Sequence, residues 1–219
     1  MKLDVSAKSP AEAPGDILVL ERYAGEERLS PEVRRIDLAL GGLLSLALRD
    51  QRFEGRVGEI ADLHTGGRLP AKRVLVVGLG SRADCTAEVV RRAAGAAARR
   101  GRDLGAATLL IPVLGAHARG LGLAQRAQAT GEGVLLGLYR FDRYKEKRNG
   151  DRAISFAVSA SADAVTALAG SLMRSRAKLV ASAPSSARRD PSCAAARSRA
   201  VGTRRVTVEI ARSPFRFSL

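Results

Sequence analysis

The run Arg73–Gly78, RVLVVG, constrains this chain more than any other stretch. It is continuously apolar after its first residue, with no polar alternation, as expected of a strand buried on both faces. A strand of that kind needs covering layers above and below it. The neighbouring segments supply them, because strand and helix patterns alternate along residues 1–160. Met1–Val5 and Asp16–Leu20 (DILVL) read as strands, Gly58–His64 as another, Ala107–Leu114 and Ala153–Ser159 as two more. Such alternation favours a mixed or parallel sheet between helices, an α/β fold.

The helices have legible ends. Ser30-Pro31-Glu32 combines an N-cap residue, a proline suited to the first helical position and an acid suited to the positive helix end. Ile36, Leu40, Leu43, Leu44 and Ala47 follow at helical spacing and predict one apolar face. Gly41-Gly42 falls inside this pattern and reads as a close-packing point in a continuous helix, at a cost of roughly 1 kcal/mol per glycine. Thr86 is placed to cap the next helix, with Glu88 in its first turn and Arg99, Arg100 and Arg102 near its end. Its inner face is mostly alanine (Ala93, Ala94, Ala97), which predicts close approach of that helix to the sheet. Leu121–Leu138 is the last helix of this region.

The remainder of the chain is different. Residues 161–219 hold 13 Ala, 10 Ser and 10 Arg, and only 13 large apolar residues. That is too little apolar surface to offset the entropy of ordering. Ala162–Val180 has helical character, Ser182–Gly202 is expected to be disordered, and Arg204–Ile210 alternates like a strand without an evident partner. The net charge of +15 is divided unevenly, because 161–219 carries 11 basic and 3 acidic residues. Such a tail attracts nucleic acid nonspecifically. No apolar run is long enough to span a membrane, and the N-terminus lacks the apolar core of a secretory signal. A cytoplasmic protein is therefore expected, with Cys85 and Cys193 as reduced thiols.

Motifs of chemistry are few. Gly78-Leu79-Gly80, with Ala83 in a third position, has the outline of a dinucleotide-binding turn between strand and helix. The next strand, however, ends without the acid that would hold a ribose, and a plain turn is the better reading. His64 and His117 have no ligand-type neighbours at metal spacing. Arg140–Arg148 (RFDRYKEKR) interleaves bases and aromatics, a composition suited either to nucleic acid or to a packed, solvated hinge.

The stretch Glu132–Lys145, EGVLLGLYRFDRYK, carries three of the eight aromatic residues, Tyr139, Phe141 and Tyr144. Its Glu132, Gly133, Leu136, Gly137, Tyr139, Phe141, Asp142, Tyr144 and Lys145 resemble the end of the N-terminal domain of leucyl aminopeptidases, the cytosolic metallopeptidase family M17. DILVL, the helix after Ser30-Pro31, GRVGEI, VLVVGLG and EVVRRAAGAAARR resemble that domain's other segments in the same order. The resemblance covers about residues 1–165 and implies a three-layer, macro-domain-like mixed sheet over 1–162.

It also implies a domain that does no chemistry itself. In the family a larger C-terminal domain holds two divalent metals (zinc, manganese or magnesium) and removes N-terminal residues from peptides, within a hexamer. The family's metal motifs, a GKGxxFDSGG-like and an NTDAEGR-like segment, do not occur here. No catalytic, cofactor-binding or metal-binding residue therefore carries over, and no cofactor is expected in this chain. The expectation is an inactive, truncated N-terminal domain followed by a basic tail, 163–219. A change of reading frame at about 163–175 and an in-frame basic extension both account for that tail. Expected partners are a second copy or an intact aminopeptidase. The alternatives are a nucleotide or ADP-ribose-type ligand and, through the tail, nucleic acid.

Overall fold

The computed structural model describes residues 2–6, 14–138, 155–159, 198–200 and 205–209. Eight strands, β1 (Lys2–Ser6), β2 (Gly15–Arg22), β3 (Ile60–His64), β4 (Ala71–Gly78), β5 (Thr108–Pro112), β6 (Ser155–Ser159), β7 (Ser198–Ala200) and β8 (Arg205–Glu209), form one sheet. Its order is β3-β4-β2-β5-β6-β1-β8-β7. The five strands from β4 to β1 run parallel, while β3 on one side and β8 and β7 on the other are antiparallel to their neighbours. The helices are α1 (Pro31–Ala39), α2 (Leu43–Asp50), α3 (Ala87–Asp103) and α4 (Leu123–Leu138).

Alternate residues of the central strands feed two cores, which defines three layers. Ile17, Val19, Leu75, Val77, Leu109 and Ile111 pack with α3 and α4. Leu18, Leu20, Val74, Val76 and Leu110 pack with α1 and α2. The continuous apolar run of β4 is thus explained, since Val74, Leu75, Val76 and Val77 are all fully buried. The mixed sheet flanked by helices expected from the alternation is the fold observed.

Three expectations need correction. The first helix is two helices. Gly41 and Gly42 have φ of +68° and +83°, a left-handed backbone that glycine adopts without penalty and that no α-helix continues. A Cβ at Gly42 would meet nothing within 4 Å, and one at Gly41 would meet only the Arg68 guanidinium, at 3.2 Å, so backbone conformation explains the pair better than close packing. The break leaves Ile36, Leu40 and Leu44 in one core but turns Leu43 outward, 37% exposed. Gly42 has no side chain to cap α2, and Asp37 substitutes by accepting from the Ser45 backbone N–H at 3.0 Å and its hydroxyl at 2.5 Å.

The second correction concerns the alanines of α3. Their close approach is to α4 as much as to the sheet. A Cβ on Gly133 would lie 2.2 Å from the Arg91 carbonyl oxygen, and one on Gly137 would lie 2.5 Å from that of Gly95. The two helix backbones therefore touch.

Third, the strand at Arg204–Ile210 has partners. As β8 it pairs antiparallel with both β1 and β7. β7 itself lies within the stretch expected to be disordered. The edge of β1 offers unpaired backbone groups, and the β-branched alternation of Val206 and Val208 suits it. The expected helix at Ala162–Val180, the Arg140–Arg148 run and Cys193 lie outside the described residues.

Candidate functional site at the carboxyl edge of the sheet

In open sheets with parallel strands, ligands bind beyond the carboxyl ends of the strands. Here β2, β4 and β5 deliver three loops to that edge, residues 23–30, 79–86 and 113–122. Each contains a glycine of positive φ, Gly25, Gly80 and Gly115 respectively, and the last two sit where backbone N–H groups could face a ligand.

The first turn, Gly78-Leu79-Gly80, is filled by the protein itself. Gly78 N–H donates to the Glu59 carbonyl at 2.8 Å, Leu79 N–H to Arg22 at 3.0 Å and Gly80 N–H to Gly55 at 2.8 Å. A Cβ on Gly78 would stand 2.1 Å from the Arg56 carbonyl oxygen, and one on Gly80, where φ is +69°, would stand 2.7 Å from Val57 Cγ2. These glycines make room for the 55–57 loop, not for a pyrophosphate. The helix follows only at Ala87, capped by the Thr86 hydroxyl, which accepts from Val89 N–H. The plain-turn reading therefore holds, and the dinucleotide outline does not.

The second turn, at Gly115, receives a side chain. Glu21, at the end of β2, accepts hydrogen bonds from Gly115 N–H at 2.5 Å and Ala116 N–H at 3.0 Å. Arg126 on α4 donates from Nη1 to the Gly115 carbonyl at 3.2 Å, and the buried Thr130 hydroxyl accepts from Leu114 N–H at 3.2 Å. Burial pushes the Glu21 carboxyl up to about 7, against the downward pull of the two N–H groups and of Arg126. Below it, Tyr23 is 2% exposed. Its hydroxyl is buried without a hydrogen bond of ordinary geometry, with the Cys85 thiol and the His117 backbone as polar neighbours. Burial raises both the phenol and the thiol. Cys85 itself is a buried core thiol.

Beside these loops lies an open cleft of about 580 Å³, lined by Glu26, Arg28, Ser30, Pro31, Arg82 and His117 among others. Arg82 is already paired with Glu26 at 2.5 Å, and its guanidinium lies over the Tyr23 ring, 5.4 Å from the centroid. Ser30 is occupied in capping α1. The two histidines are not brought together. His117 lies at this edge, while His64 ends β3 opposite Arg73, at the other edge of the sheet. Among the described residues no three His, Cys, Asp or Glu side chains form a metal-binding group.

Of the α4 residues of the sequence signature, the glycines and Glu132 hold α4 against α3, while Leu136 faces outward. Gly133 and Gly137 touch α3, Glu132 accepts from Arg91 at 2.8 and 3.0 Å, and Leu136 is 66% exposed. Tyr139–Lys145 lies outside the described residues. Glu21 and Arg126 were not singled out from the sequence, where the only signal for Glu21 is an acid directly following the apolar run of a strand.

Residues 20–148 match the model of the cytosol aminopeptidase family, N-terminal domain. The chain belongs to the cytosol aminopeptidase family. A probable cytosol aminopeptidase of Geobacter sp. (strain M21) is 36% identical over 147 residues, 67% of this chain and 29% of that protein. One from Alkaliphilus oremlandii (strain OhILAs) is 29% identical over 145 residues, 66% of this chain and 29% of that protein. The chain thus spans under a third of the length of the curated relatives it matches. Among solved structures, the bottromycin maturation enzyme BotP is 28% identical with a TM-score of 0.54, over 76% of this chain and 31% of BotP. A mutant tomato leucine aminopeptidase gives 0.62 at 21% identity, over 81% of this chain and 35% of that one. An Oceanobacillus iheyensis macrodomain gives 0.63 at 14% identity, over 80% and 93%. This last likeness concerns the fold, which is macro-domain-like as expected.

Proposed function

We propose that these residues supply the non-catalytic domain of a cytosol aminopeptidase, with a role in assembly or regulation and not in peptide hydrolysis. One observation carries the reading: among the described residues no three His, Cys, Asp or Glu side chains form a group that could hold a metal, and several of the acids are committed to structural bonds. Asp16 accepts from Ala107 and Thr108 N–H and from Lys72, tying the start of β2 to β5 and β4. Asp37 caps α2. Glu59 accepts from Glu54 and Arg56 N–H. Asp62 bridges Arg73 and Arg100. Glu21 and Glu132 are engaged as described above. A metal pair that activates water needs carboxylates free to coordinate it.

The partner in this reading is a second copy of the chain or an intact aminopeptidase of the same family. A nucleotide-type ligand is less well supported, because the backbone donors at Gly78–Gly80 and at Gly115–Ala116 are already taken. Sedimentation velocity tests the assembly role, using the purified chain alone and mixed with an intact family aminopeptidase. The reading expects a faster-moving species in at least one sample. A monomer that sediments independently of the aminopeptidase would count against it.

A further inference from the structure

Glu21 is a costly residue in its position. It follows the apolar run of β2, Ile17–Leu20, all buried, and its carboxylate lies among groups from every neighbouring element. These are Tyr23 in the loop just after β2, Glu32 on α1, Cys85 ahead of α3, and Arg126 on α4. Among the described residues Arg126 offsets part of its charge, and Arg126 is hydrogen-bonded to Gly115, leaving its buried Nε without a partner. The carboxylate accepts from Gly115 and Ala116 N–H. Gly115 has φ of +83°, so the turn directs two successive N–H groups to one point. Concavities of this kind bind anions.

We infer that the Gly115–Ala116 turn is a carboxylate-binding site that Glu21 fills from within, acting as a releasable latch on the 113–118 loop. The loop carries His117, one wall of the cleft, so the latch sets the shape of that cleft. Two convergent N–H donors need two acceptor oxygens. A carboxylate provides both, whereas a protonated carboxyl keeps one good acceptor and turns the other oxygen into a donor. Protonation therefore removes one of the two bonds. The raised position of the carboxyl, about 7, places this change near neutral pH.

Amide hydrogen exchange of the full chain, read by NMR between pH 5 and 8.5 and corrected for intrinsic rates, tests the inference. Protection at Gly115 and Ala116 should fall roughly tenfold or more from pH 8.5 to pH 5, the loss of a charge-assisted bond. Leu114 N–H, held by Thr130, is the internal control and should change less. Glu21→Gln offers one acceptor and one donor at all pH values, so it should show low, pH-independent protection. In Glu21→Ala, acetate at pH 8 should restore protection at Gly115 and Ala116, and chloride at equal ionic strength should not. Equal protection in wild type and Glu21→Gln at pH 8.5 would overturn the latch. Failure of acetate to restore protection in Glu21→Ala would overturn the carboxylate site. Neither outcome bears on the assembly role, which sedimentation reads separately.

Discussion

The two faces of the sheet are closed by different means. Against α1 and α2 the core consists of large side chains, with Leu40 and Leu44 fully buried and Val33, Ile36, Leu48 and Phe53 around them. Against α3 and α4 the helices contribute Ala93, Ala94, Ala97, Ala98, Ala127 and Ala129, and two glycines of α4 rest on the α3 backbone. The first face separates its helices from the sheet by side-chain volume, so it has volume to lose. The second has less on its helices, chiefly Val90 and Val134, and its tolerance is limited by steric overlap where α3 and α4 touch. Close packing of an interior makes both arrangements sensitive, but in opposite directions of residue size.

Enlarging the small face should therefore do the most damage. Gly133→Val places a Cβ 2.2 Å from the Arg91 carbonyl, which forces α3 and α4 apart. We expect a loss above about 4 kcal/mol, seen as loss of the cooperative urea transition. The reverse change belongs on the large face. Leu44→Ala should cost about 2–5 kcal/mol through transfer and cavity terms, with a cooperative transition retained at lower urea. If the two substitutions proved equally mild, the contrast between the faces would be wrong.

A third effect lies at the strand ends, between the two cores. Burial raises the Glu21 carboxyl from 4.5 to about 7 in the folded chain. The fold thus favours its protonated form. Its contribution is complete below pH 4.5 and is lost as pH rises through 7, a difference on the order of 3 kcal/mol. Denaturation midpoints of wild type and Glu21→Gln should consequently diverge between pH 5 and 8, with the variant relatively more stable at pH 8. Parallel pH profiles would remove the argument that the latch costs stability. The smallest effect concerns the cap of α2 on the large face. Asp37→Ala should cost about 1 kcal/mol, and Ser30→Ala at α1 a similar amount, both measurable by thermal melting.

Much of the fold is legible where the signal is local. The apolar run of β4, the Ser30-Pro31-Glu32 start of α1 and the Thr86 cap of α3 each announce their element within a few residues. The break at Gly41-Gly42 is not legible, because Leu40 and Leu44 return to the same core on either side of it. Hydrophobic spacing therefore reads through the turn as if one helix continued. The partners of β8 are out of reach for a different reason: its pairing with β1 joins residues about as far apart in sequence as the chain allows. The carboxyl edge shows both cases. Gly78 and Gly80 are conspicuous in the sequence, but only the structure shows the 55–57 loop filling the space they leave. Glu21 is inconspicuous, since nothing local marks it as the partner of a turn 94 residues away.

The proposed non-catalytic role rests on described residues that gather no metal-binding group. Release of the chromophore from a leucyl anilide by the purified chain, with manganese or zinc added, is the decisive measurement. The expected rate equals that of metal and buffer alone. A metal-dependent rate that scales with protein concentration and is abolished by a chelator would overturn the proposed role.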